Sequence, residues 1–297
     1  MSSLSKLIIA TGCSSGLGFE AIKKLLLQSS QPYTFLLGVR DTHRSKEAYD
    51  AVKYDSKAHS LKLLPLELAD LKSVKSFAGR VGDEVKDQKV DYLFLNAALS
   101  KDAKGDSPYG SKWSEAYVVN HLSQHYLLHL LHPHILRSQS RIIFTSSGAI
   151  RNATIDTLSI DVLAKSGAEV FPLYSSTKFI QLLGAEWWRR QLPKENVIVA
   201  VSPGLIPATG LGRHWEDNAE WSADKMKLHP DAKGVDVGAD SLLAAFTRTD
   251  LPDDPERLFL TSWGEWWEKD VYKAALDREL QDRWCLSKGE IEREEGL

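Results

Sequence analysis

Short apolar runs alternate with amphipathic stretches along almost the whole chain, and this alternation is the feature that most restricts the fold. Residues 7–10, 34–39, 61–66, 92–95, 141–145, 197–202 and 258–261 read as strands. Between them, 16–28, 45–54, 71–85, 113–131, 174–191 and 237–246 carry helical spacing; Ala21, Leu25 and Leu26 share one face of the first. Strands apolar on both sides imply a parallel sheet covered on both faces. Right-handed crossovers then predict a doubly wound (Rossmann) α/β fold of about seven strands. No repeat or low-complexity linker divides the 297 residues, so residues 1–297 are expected to form a single domain. Two segments depart from the alternation. Residues 205–235 are rich in Gly, Pro, His and Trp and are long for an αβ connection, which predicts a substrate lid after the sixth strand. Residues 262–297 form a helical C-terminal extension, with a terminal helix expected over 265–285.

Charge and cysteine usage restrict the partners. With 37 Lys+Arg against 40 Asp+Glu the formal net charge is −3, and no basic stripe offers a nucleic-acid footprint. Only Cys13 and Cys285 occur, too few for a disulfide framework, which fits a reducing compartment. No uncharged apolar stretch reaches the roughly 18 residues of a membrane span, and no signal-peptide pattern precedes the first strand. The expectation is a cytoplasmic protein without a membrane span.

The turn after the first strand reads Thr11-Gly12-Cys13-Ser14-Ser15-Gly16-Leu17-Gly18. Glycines there permit a sharp turn and close approach of a phosphate to the N-terminus of the next helix, whose unpaired N–H groups and dipole attract anions. At the first strand–helix turn of a doubly wound sheet, this predicts nucleotide binding through Gly12, Ser14, Ser15, Gly16, Leu17 and Gly18. The second strand ends at Arg40-Asp41, where an acid would select a ribose 2′-hydroxyl and an arginine a 2′-phosphate. Arg40 favours NADP(H); Asp41 argues for NAD unless it caps the following helix. Tyr174 and Lys178 stand four apart on one helix face. A phenol with a pKa of about 10 needs help to exchange protons at neutral pH, and an ammonium one turn away, with the charge of an oxidised nicotinamide, supplies it. Ser146-Ser147 ends a buried strand at the sheet edge where ligands bind.

Together, the glycine turn, a serine upstream of Tyr-x-x-x-Lys and the later Pro203-Gly204 resemble the short-chain dehydrogenase/reductase family over nearly the whole chain. Leu95-Asn96-Ala97-Ala98 and the tail through Trp284-Cys285 resemble its protochlorophyllide reductase-like and retinol dehydrogenase-like branch. The resemblance implies that Tyr174 exchanges the proton at the reacting oxygen and that Lys178 assists it and binds the nicotinamide ribose. It further implies that Ser147, rather than Ser146, orients the substrate oxygen, and that Asn120 holds a relay water. Cofactor contacts are implied at Glu67 and Leu68 near the adenine, at Asn96 and Ala97, and at Pro203, Gly204, Ile206 and Thr209 around the nicotinamide. Glu67 departs from the family's usual aspartate, and Leu95 and Ala98 replace an asparagine and a glycine of its turn.

The resulting expectation is an NADP(H)-dependent oxidoreductase, moving a hydride between nicotinamide and the carbonyl or secondary alcohol of a small apolar or aromatic molecule. Reduction of a conjugated C=C bond on the same site and a non-catalytic NADP-binding sensor are the open alternatives. His121, His125 and His129 recur every four residues, followed by His132 and His134. Without cysteine or carboxylate partners they read as a packing face or a homodimer interface rather than a metal site. Trp215, Trp221, His214 and Met226 are candidates for the wall of an apolar substrate pocket, and the other tryptophans for packing.

Overall fold

The structure is a computed structural model that describes residues 4–104, 107–155, 158–159, 163, 167–215 and 223–297. Strands β1 (Lys6–Thr11), β2 (Tyr33–Val39), β3 (Ser60–Pro65), β4 (Tyr92–Leu95), β5 (Arg141–Thr145), β6 (Val197–Val201) and β7 (Phe259–Leu260) form one sheet. Its order is β3-β2-β1-β4-β5-β6-β7, and every pairing is parallel. The order reverses between β1 and β4, which opens a crevice beyond the carboxyl ends of those strands.

Period-two alternation splits each central strand between two cores. Ile8 and Ala10 of β1 pack with α1 (Gly16–Leu27) and α7 (Val235–Thr247); Leu7 and Ile9 face α3 (Leu71–Val85) and the long helices α4 and α5 on the other side. Helix α4 begins as Glu115–Tyr117, widens into a π-helical turn at Val118–Leu122 and continues as Ser123–Leu136; α5 is Val170–Gln191. Helix α2 (Thr42–Asp50) links β2 to β3. The edge strand β3 is the exception to two-sided burial, since Ser60, Lys62 and Pro65 are exposed. At a sheet edge one flank and much of one face meet water, so apolar residues there have less to bury. Among the described residues no helix is long and apolar enough to cross a membrane.

Between β6 and α7 the excursion closes at its base, where Lys233 N donates to Leu205 O at 2.9 Å. A 3-10 turn (Gly210–His214) and the short helix α6 (Ala223–Lys227) lie along it. The tail corrects the expected helix over 265–285. It forms a 3-10 segment (Lys269–Leu276), α8 (Arg278–Trp284) and α9 (Lys288–Glu295). Tyr272 breaks the first with φ −130°, its hydroxyl donating to Glu256 O. Asp277 is extended, and its carboxylate accepts from Glu279 N and Leu280 N, so it starts a new helix instead of continuing one.

This tail packs along the histidine face of α4. His121 Nε2 lies 3.0 Å from Trp284 O, and His125 Nε2 lies 2.9 Å from Leu286 O. The Trp188 indole donates to His125 Nδ1 at 2.9 Å, so His125 carries its proton on Nε2 and donates it to Leu286 O. His129 Nε2, 3.1 Å from that carbonyl, donates to it too. The histidines thus pack internally against the chain's own tail. Burial lowers the affinity of His121, His125 and His129 for protons, His121 to about 4.

Candidate active site

The crevice at the strand reversal is a cleft of ≈ 580 Å3. Its lining contains every residue expected from the sequence to touch the cofactor, together with Ser147; Asn120 is outside it. Gly12, Ser14, Ser15, Gly16, Leu17 and Gly18 of the glycine turn line it, as do Arg40, Glu67 and Leu68, Asn96 and Ala97, Ser147, Tyr174 and Lys178, and Pro203, Gly204, Ile206 and Thr209.

At the glycine turn the three glycines do different work. A Cβ on Gly12 would lie 2.5 Å from Ala97 Cα, and one on Gly18 would lie 2.3 Å from Gly12 O. Both are therefore required by packing of the turn against the β4 loop, not by a phosphate. Gly16, by contrast, has room at its missing Cβ: its φ is +58°, and only Thr209 lies within 4 Å. Helices α2 and α3 are capped by Asp41 and Asp70, whereas Ser15 gives α1 no side-chain cap. The first N–H groups of α1 thus stay available where the cleft passes, which fits a bound pyrophosphate.

Asp41 Oδ1 accepts from Arg44 N at 2.9 Å, so its carboxylate caps α2 rather than facing a ribose. Arg40, exposed at the end of β2, lines the cleft. Glu67 Oε1 accepts from Ala69 N at 2.9 Å, holding the carboxylate in its own loop beside the cleft.

The reactive end is assembled from β5, α5 and the strand ends. Tyr174 and Ser147 both line the cleft, the serine side chain close enough to lower the pKa of the phenol; Ser147 Oγ also accepts from Ala149 N at 3.2 Å, and the Lys178 ammonium lies 6.0 Å from the Tyr174 ring centroid. Ser146 Oγ is buried without a partner, so the structure brings Ser147, not Ser146, to the tyrosine. Lys178 Nζ donates to Thr145 O at 2.7 Å and to Gln181 Oε1 at 3.2 Å. Burial pushes Tyr174 up to about 12, the polar Ser147 side chain opposing it, and pushes Lys178 down to about 7. In the protein alone, desolvation outweighs any help the ammonium gives the phenol.

The Asn120 side chain is fully engaged within the protein. Its Oδ1 accepts from Leu99 N at 2.7 Å, while Nδ2 donates to Leu99 O and to Thr177 Oγ1 at 2.7 and 2.9 Å. Its side chain therefore clasps the loop after β4 to α5. Asn96 makes a second clasp: Nδ2 donates to Gly12 O and Oδ1 accepts from Thr145 Oγ1, tying β1, β4 and β5 together.

Sequence reasoning missed Thr11, Thr145 and Gln181. Thr11 Oγ1 accepts from Asn96 N at 3.2 Å, and two of the three join the site through long-range contacts that leave no local pattern. Gln181 did leave one, because it stands three residues after Lys178 on the same helix.

The apolar part of the lining includes Leu99, Val119, Phe171, Trp215, Met226 and Trp267. Trp215 reaches across to donate to Ser100 Oγ at 2.8 Å. Of the other expected wall residues, His214 is exposed and outside the lining, and Trp221 lies outside the described residues.

Comparisons with known proteins identify the family and agree with the fold. The family profile described as short chain dehydrogenase matches residues 6–220. A short-chain dehydrogenase/reductase of Pestalotiopsis microspora is 52% identical over 292 residues, 97% of this chain and 98% of its own. Another, tropE of Talaromyces stipitatus, is 30% identical over 220 residues, 70% of this chain and 80% of its own. Among solved structures, NADPH-bound carbonyl reductase from chicken fatty liver has TM-score 0.62 at 20% identity, covering 89% of this chain and 98% of that one. A short-chain dehydrogenase from Sphingobium yanoikuyae in complex with NADPH has TM-score 0.60 at 17% identity, covering 86% and 87%. At those identities the structural likeness carries the fold.

Proposed function

Because this chain belongs to the short-chain dehydrogenase family, we propose that it is an NADP(H)-dependent oxidoreductase acting on the carbonyl or secondary alcohol of a small apolar or aromatic molecule. The observation that carries the reading is the convergence of Ser147, Tyr174 and Lys178 in one cleft whose lining also includes the glycine turn and Arg40. When bound, the dinucleotide supplies or accepts the hydride. This chain's own residues do the rest.

The open N-terminus of α1 and Gly16 hold the pyrophosphate, and Arg40, with Asp41 turned away into its helix cap, takes the 2′-phosphate. NADPH in the two related structures named above supports the same cofactor. Burial keeps the Tyr174 phenol protonated at neutral pH, so its hydroxyl is set to donate to a substrate oxygen. Ser147 Oγ holds that oxygen beside it. Lys178 stands one turn along α5, where its ammonium is placed to move from Thr145 O and Gln181 Oε1 toward a ribose hydroxyl. The apolar walls exclude water and favour a substrate with a broad hydrophobic face.

Titration with NADPH and NADH, read by energy transfer from tryptophan to the reduced nicotinamide, tests this reading. NADPH should bind more tightly, and Arg40→Ala should remove about tenfold or more of that preference, as expected for a charge-assisted bond. Equal or tighter NADH binding would overturn the Arg40 argument. If neither bound, the enzyme reading would fall.

A further inference from the structure

Arg213 lies on the 3-10 turn that opens the 205–235 excursion. That turn begins over the floor of the cleft, since a Cβ on Gly16 would meet Thr209 Cβ at 3.7 Å. Arg213 Nη1 donates to Gly210 O at 2.7 Å, which tethers its guanidinium close to the turn. It lines the same cleft as Arg40. Arg213 is exposed where it lines the cleft, and partial desolvation and then the positive charge of Arg40 lower its affinity for its proton. Among the described residues no carboxylate lies within ion-pairing distance of either guanidinium, and the acid that favours the Arg213 charge, Glu115, is tied to Lys101 at 2.6 Å.

Two guanidiniums that share a cleft without a counterion repel each other, and a dianion between them relieves the repulsion. The N-terminus of α1 already offers its amides to a pyrophosphate. The remaining phosphate of NADP(H), on the adenosine ribose, would otherwise have only Arg40. We infer that Arg213 is the second guanidinium of the 2′-phosphate site, reading the group that distinguishes NADP(H) from NAD(H). The inference rests on the cofactor reading above and adds to it a specificity residue outside the β2 end.

Calorimetric titration with 2′,5′-ADP and with ADP tests it, since the first carries the ribose 2′-phosphate and the second the pyrophosphate. Arg213→Gln should weaken 2′,5′-ADP about tenfold while ADP changes less than about twofold, and Arg213→Lys should recover part of the loss. ADP binding doubles as the check that the variant is folded. Arg40→Gln with Arg213→Gln should cost less than the two single losses combined, because both act on one phosphate. Equal weakening of ADP would place Arg213 on the pyrophosphate and overturn the inference, as would no change for either ligand. If the unaltered protein bound NADPH and NADH equally, the NADP(H) reading would fall and this inference with it. NADPH preference unchanged in Arg213→Gln would remove this inference alone.

Discussion

Gly18 and Tyr174 show how differently single residues depend on their surroundings. At Gly18 the space for a β-carbon is already taken by Gly12 O and Asn96 Nδ2, each 2.3 Å from where it would sit. Gly18→Ala should therefore separate α1 from β4 and cost about 2–3 kcal/mol or more, seen as a lower midpoint of thermal unfolding even with no ligand present. A midpoint equal to wild type would show that the turn relaxes freely. Tyr174→Phe should behave in the opposite way. Removing the hydroxyl, which faces the Ser147 side chain, should leave folding and NADPH affinity nearly intact while turnover falls by about 10²-fold or more. Substantial turnover in that variant would mean another group delivers the proton. The Tyr174–Lys178 pair was legible in the sequence because one helical turn fixes its spacing. The strand-end partner of Lys178, Thr145 O, was not, because it lies 33 residues away and meets the ammonium only when β5 docks on α5.

Among the elements, the contact between α4 and the tail has the clearest consequence for pH. His121, His125 and His129 are neutral when folded, while each would take up a proton near pH 6.5 in the unfolded chain. The unfolded state therefore binds more protons below pH 6.5, and stability falls as the pH drops from there toward the folded value of about 4 for His121. His121 alone should cost about 2 kcal/mol between pH 7 and pH 5. Glu186, buried and raised to about 8, acts in the opposite sense, since its folded carboxyl holds a proton that the unfolded one loses. The informative measurement is thus the difference in pH slope of the unfolding midpoint between wild type and His121→Phe. The variant should be flatter between pH 7 and 5, and parallel slopes would refute the assignment. Elements bounded by apolar runs were legible in advance, with β4 and β5 found at their expected limits. The expected helix at 265–285 was not, because Asp277 and Tyr272 act through a side-chain cap and a buried hydroxyl that spacing alone does not reveal.

Across the whole molecule, the tail completes the layer on one side of the sheet rather than lying on its surface. Trp284 and Ile291 belong to the same buried core as Leu127 and Trp188, and Tyr126 donates to Glu292 across the seam. Removing residues 277–297 should expose that face of α4 and α5 and give a protein that aggregates or binds a hydrophobic dye, although no cleft residue is deleted. A soluble, cooperatively unfolding truncation would show that the core closes without the tail. The amino-acid sequence by itself determined the alternation of strands and helices, the glycine turn at the first crossover and the Tyr174–Lys178 pair. Each is a local spacing that backbone geometry converts directly into structure. Tertiary structure alone decided which glycine of the turn has room for a β-carbon, that Asp41 caps a helix while Arg40 stays free, that Asn120 clasps a loop, and that the histidines hold the tail. Those outcomes depend on which distant backbone groups arrive beside a side chain, and only the packed sheet brings them there.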